Sequence, residues 1–88
     1  MRATINGKRV TGRDSLHALL RTKLSLPEDC GANLDAVYDV LTDPGKDRII
    51  TLKHEDLLRE RLGDYADRLL RMLEDAQECG HVKVIIKE

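Results

Sequence analysis

Apolar positions along this chain follow two rhythms: helical spacing over the longer segments, and short runs rich in β-branched residues between them. Ala3, Thr4 and Ile5 predict a short strand, followed by a turn at Asn6-Gly7. Taken alone, Asn-Gly would send the chain back as a hairpin through Lys8-Arg9-Val10. The next segment places Leu16, Leu19, Leu20 and Leu24 on one helical face, so a strand running into a helix capped by Thr11 or Asp14 is the simpler reading. Leu26-Pro27 closes that helix, because the residue before proline is pushed out of helical geometry.

The stretch Glu28-Asp29-Cys30-Gly31-Ala32 reads as a loop, and Asn33 as the N-cap of a second helix from Leu34 to about Thr42, stopped by Pro44-Gly45. Ile49-Ile50-Thr51-Leu52 predicts a second strand, and Glu55 to Leu62 a third helix ending at Gly63. Asp64 is the expected cap of a fourth helix with Tyr65, Leu69, Met72, Leu73 and Ala76 facing inward. After a break at Gly80, Val82 to Ile86 closes the chain as a strand. The order strand, two helices, strand, two helices, strand predicts an α/β fold: a three-stranded parallel sheet packed with four helices.

Length and composition bound what such a fold can do. The 88 residues suffice for one compact domain spanning 1–88 and are too few for two. With no Phe or Trp and only Tyr38 and Tyr65 as aromatics, the core is built from Leu, Ile and Val. The stacking platforms of a single-stranded nucleic-acid binder are missing. The N-terminal stretch lacks the apolar run of a secretory signal, and no run is long enough to span a bilayer. The expectation is therefore a soluble cytoplasmic protein, with Cys30 and Cys79 as reduced thiols and no membrane partner.

Charge changes the picture more. The net charge is −1, yet residues 1 to 24 carry six basic side chains against the single acid Asp14. Residues 25 to 45 hold Glu28, Asp29, Asp35, Asp39 and Asp43 with no Lys or Arg. On the second helix Leu34, Val37, Tyr38 and Leu41 must face the core. Asp35, Asp39 and Asp43 then form a ridge that advances only about 40° per step and points to solvent. Each like-charge i, i+4 pair costs an isolated helix about 0.2–0.5 kcal/mol, and no cation on this helix offsets it. One account of that local cost is a partner that supplies the cations to a rigid helix. The plain alternative is a solvated polar face.

Other constellations point less clearly. Arg2, Lys8, Arg9, Arg13, Arg21 and Lys23 could form a basic patch for RNA, which makes a small RNA-binding or regulatory protein the alternative function. They scatter, however, over a strand, a turn and different helix faces. His17, His54 and His81 with the two cysteines offer only one short pair, Cys79-Gly80-His81, so no metal and no cofactor is expected. Nothing in the sequence places a base beside Cys30, which argues against a thiol nucleophile and against enzyme activity. Asp64 with Arg68, Asp67 with Arg71, and Arg71 with Asp75 are i, i+4 pairs, so Asp75 reads equally well as an ordinary ion-pair member.

Several stretches resemble the barstar family, inhibitors of the ribonuclease barnase: Ala3-Thr4-Ile5-Asn6-Gly7, Leu16-His17, Leu24-Ser25-Leu26-Pro27-Glu28, and above all Gly31-Ala32-Asn33-Leu34-Asp35-Ala36-Val37-Tyr38-Asp39-Val40-Leu41-Thr42. The resemblance is closest over residues 3 to 42 and is traceable again through Glu78-Cys79-Gly80 into the last strand. It implies an intracellular immunity protein or antitoxin that is monomeric when free, whose partner is an extracellular or toxin ribonuclease with a basic active-site cleft. It further implies that Asp35 and Asp39 contact that enzyme, with Asp39 standing in for an RNA phosphate, and that Asp75 on the fourth helix matches a family acidic contact.

The candidate site joins the ridge residues Asp35, Asp39 and Asp43 and the cap Asn33 to the further positions that the resemblance marks, Tyr38, Asp75, Asp29 and Cys79. The chain departs from the family's pattern at Asp29, where an aromatic is expected, at Tyr38 for a tryptophan, at Cys79 for an acid, and after Thr42, where no tryptophan follows. Loss of an aromatic anchor removes a typical hot-spot residue. The departures point to a cognate enzyme related to barnase but distinct from it, and to affinity that leans harder on charge.

Overall fold

In the computed structural model, residues 2–26, 33–43, 45 and 47–87 are described. They form β1 (Arg2–Asn6), a 3-10 turn (Gly7–Arg9), α1 (Arg13–Leu24), α2 (Leu34–Leu41), β2 (Arg48–Lys53), α3 (Glu55–Leu62), α4 (Asp64–Glu78) and β3 (Val82–Lys87). The three strands are parallel in the order β1-β2-β3, with Ile5 beside Leu52 and Ile50 beside both Ala3 and Val84. This is the α/β architecture that the element order predicts.

One face of the sheet is apolar because strand side chains alternate. Ala3, Ile5, Ile50, Leu52 and Val82 are buried on it, under Leu16, Leu20 and Leu24 of α1, Val37 and Leu41 of α2, Leu58 of α3, and Leu69, Leu73 and Ala76 of α4. Leu19, Leu34 and Tyr38, assigned to inward faces by periodicity, are only partly buried against that core. They sit at the edges of their apolar stripes.

The Asn6-Gly7 turn is no hairpin. Asn6 Oδ1 accepts from the Lys8 N–H at 3.0 Å, and the chain continues through the 3-10 turn. Glycine is required at position 7 for a steric reason: a Cβ there would lie 2.4 Å from the carbonyl oxygen of His54, at the end of the neighbouring strand.

Two helix starts differ from expectation. The first helix begins at Arg13, so neither Thr11 nor Asp14 caps it. Ser15 Oγ instead reaches back to accept from the N–H groups of Thr11 and Gly12 at 2.8 and 3.1 Å, and it donates to the Gly12 carbonyl. Asp14 falls in the first turn, where its charge suits the helix dipole. Likewise Asp64 is the first residue of α4 and not its cap. Gly63 serves both as C-cap of α3 and as N-cap of α4, at φ 59° and ψ −131°, a backbone conformation that side-chain-bearing residues avoid. That glycine lets two helices abut without a loop.

Candidate functional site: an acidic helix beside a charged cavity

The second helix forms where its sequence says it should, because both ends are held. Asn33 Oδ1 accepts from the Ala36 N–H at 2.7 Å, satisfying one of the free donors of the first turn. At the other end the buried side chain of Arg48, on β2, donates from Nη1 to the Val40 carbonyl at 3.0 Å. Its positive charge thus lies at the negative end of the helix dipole. Periodicity could not place Arg48, which precedes the apolar run of the second strand and is only 5% exposed.

Between these two clamps Val37 and Leu41 anchor α2 in the core, leaving Asp35, Asp39 and Asp43 exposed along its outer side. Among the described residues none of the three lies within ion-pair distance of a basic side chain; ion pairs form only between Arg59 and Glu55, Arg59 and Asp67, and His81 and Asp47. Asp43 turns one oxygen to the N–H of Gly45 at 3.0 Å. Among the described residues the ridge is therefore solvent-facing and without a basic partner.

Tyr38, half-buried, leans from α2 to the end of α4, its hydroxyl 3.5 Å from Cys79 Sγ. That hydrogen bond is the main cause of a phenol pKa above its ordinary value, reinforced by the thiol's charge when ionised, by partial burial, and by Asp75 and Asp39. The phenol stays neutral at physiological pH. There Asn33, Asp35, Tyr38 and Asp75 help to line a cavity of about 630 Å³. The structure thus gathers four of the residues singled out from the sequence around one opening, with Cys79 touching Tyr38 and with Asp39 and Asp43 extending the ridge along α2. Asp29 lies outside the described residues, as does Cys30.

The cavity is also lined by residues that the sequence did not single out as site residues: Arg13 from α1, and Tyr65, Arg68, Arg71 and Met72 from α4. The i, i+4 ion pairs expected on α4 are not among those formed by the described residues, since Asp67 pairs instead with Arg59 of α3. Arg68, Arg71 and Asp75 thus line the cavity without an ion pair among the described residues. Tyr65, correctly placed on the inward face, also has a polar role: its hydroxyl lies 2.6 Å from Nε2 of the buried His17. The Arg13 guanidinium sits 4.2 Å from the centroid of the same ring, a cation–π arrangement. No periodicity encodes that stack, because its members come from two helices far apart in sequence.

Among the described residues no three His, Cys, Asp or Glu converge as a metal site would require, and no helix is long and apolar enough to cross a membrane. Comparison with known proteins adds the context. The sequence matches the family model described as "Barstar (barnase inhibitor)" over residues 1–86. A Bacillus subtilis (strain 168) protein named "Putative ribonuclease inhibitor YrdF" is 36% identical over 86 residues, covering 94% of each chain.

Proposed function

The chain belongs to the barstar (barnase inhibitor) family, and on that premise we propose that it inhibits a barnase-like ribonuclease by laying the acidic ridge of α2 into a basic active-site cleft. The observation that carries this reading is the ridge itself: Asp35 and Asp39 stand exposed, without a basic partner among the described residues, on a helix fixed at both ends. A helix that keeps repelling carboxylates in solvent spends local stability. It recovers more when a cleft built to hold RNA phosphates supplies the cations.

In this account Asp39, one turn beyond Asp35, takes the place of a phosphate among the enzyme's cationic side chains, and Asp35 braces the approach. Tyr38, Asp75 and Cys79 extend the contact onto α4, Asp43 extends it along α2, Asn33 sets the start of the helix, and Asp29 adds a charge where the family carries an aromatic. The chain performs no chemistry: occlusion of the cleft is steric and electrostatic. The setting is cytoplasmic, as immunity protein or antitoxin against a secreted or toxin ribonuclease.

An RNA-cleavage assay with barnase and related ribonucleases tests this directly, alongside a gel shift of plain RNA with the chain alone. Near-stoichiometric inhibition of at least one of these enzymes, with no RNA shift at physiological salt, is expected. An RNA shift without inhibition would instead favour the basic residues of the N-terminal third as a nucleic-acid surface.

A further inference from the structure

We propose that the cavity between α1, α2 and α4 seats a carboxylate of the bound ribonuclease, gripped by Arg13, Arg68 and Arg71, so that the docking surface is bipolar. This rests on the inhibitor reading and deepens it, by naming a second, oppositely charged contact that the partner must offer.

Three observations carry the inference. First, three guanidinium groups line the cavity, and none forms an ion pair among the described residues, although Asp35 and Asp75 line the same opening. Cations and carboxylates left open side by side fit a partner surface of alternating sign better than a purely basic one. Second, Arg13 is positioned rather than free: its guanidinium lies over the Tyr65 ring, and Tyr65 is fixed by its hydroxyl contact with buried His17. The entropy of ordering that long side chain is thus largely spent before binding. Third, neither i, i+4 spacing that would neutralise Arg71 within its own helix forms an ion pair among the described residues: Asp67 goes to Arg59, and Asp75 is not within ion-pair distance.

A planar guanidinium binds a carboxylate through two parallel hydrogen bonds. A cavity of about 630 Å³ readily admits a Glu or Asp side chain with its neighbours. Nucleic-acid phosphate is the competing occupant, but Asp35 and Asp75, which line the same opening, oppose a multiply charged anion.

The test uses the full chain and two probe peptides that differ only in one charge, acetyl-Arg-Gly-Gly-Glu-amide and acetyl-Arg-Gly-Gly-Gln-amide, followed by NMR shifts of α2, Tyr65 and Met72. The Glu peptide is expected to bind about threefold more tightly, the scale of a partly exposed ion pair. That preference should vanish in the Arg13→Gln/Arg71→Gln double variant and survive in Arg13→Lys/Arg71→Lys. Equal affinity for the two peptides in the wild type would overturn the inference while leaving the acidic ridge intact. Insensitivity of both peptides to Asp35→Asn would instead count against the ridge reading. Inorganic phosphate displacing the Glu peptide at lower concentration than acetate does would assign the cavity to phosphate and remove the partner carboxylate. Unchanged thermal midpoints across the variants separate lost contacts from lost fold.

Discussion

His17 shows how much one residue ties together. Only 4% exposed, it points inward from α1 with its Nε2 on the Tyr65 hydroxyl, and Tyr65 in turn carries Arg13 at the cavity. Burial, chiefly, and the nearby Arg21 and Arg13 hold its pKa below 6.5, against a smaller opposing pull from Asp14. Protonation therefore favours the unfolded chain, where the imidazole titrates near its ordinary 6.5. The stability His17 confers is complete above that pH and is lost as pH falls from there through the folded value. The gap in thermal midpoint between wild type and His17→Gln is expected to narrow between about pH 7.5 and about pH 5. A constant gap, followed by calorimetry, would show that the imidazole is not buried in its neutral form. At this scale the sequence was least informative: Leu16-His17 was visible as a family feature, but the Tyr65 contact, the Arg13 stack and the buried Arg48 depend on side chains meeting across elements.

Elements were far more legible, because periodicity and chain breakers report on backbone geometry. α3 ends at Gly63 as its sequence indicates, and α2 begins after Asn33 because an amide side chain before an apolar periodic run is a strong cap. The starts of α1 and α4 were misplaced for one shared reason. Glycine holds the cap position in both, with Ser15 bonding backwards in one and Gly63 turning sharply in the other, so neither start carries an acidic or hydroxyl cap side chain. For α2, Asn33→Ala is expected to cost about 1 kcal/mol of stability by chemical denaturation, while Asn33→Asp restores most of it. If Asn33 acts by setting the helix, inhibition weakens in step with that loss of order. Inhibition lost at unchanged stability would make Asn33 a direct contact of the ribonuclease instead.

Across the whole molecule the net charge of −1 conceals a strong asymmetry: an acidic helix beside a cavity edged with arginines, on a sheet whose strands carry no acidic residue. Local charges of this kind steer an oppositely charged partner, and salt screens them. Association with a basic ribonuclease is expected to slow about tenfold between about 0.05 and 0.5 M salt, with dissociation changing much less; a salt-independent association rate in stopped flow would argue for a contact dominated by apolar surface. The most direct measurement is a paired one on Asp39→Ala: the inhibition constant against an inhibited ribonuclease, and the free energy of unfolding of the free chain. The account predicts inhibition weaker by about thirtyfold or more, with Asp35→Ala milder, while stability shifts by less than about 0.5 kcal/mol because the exposed carboxylate has no cationic partner to lose among the described residues. Comparable losses in both quantities, or inhibition left intact, would contradict it.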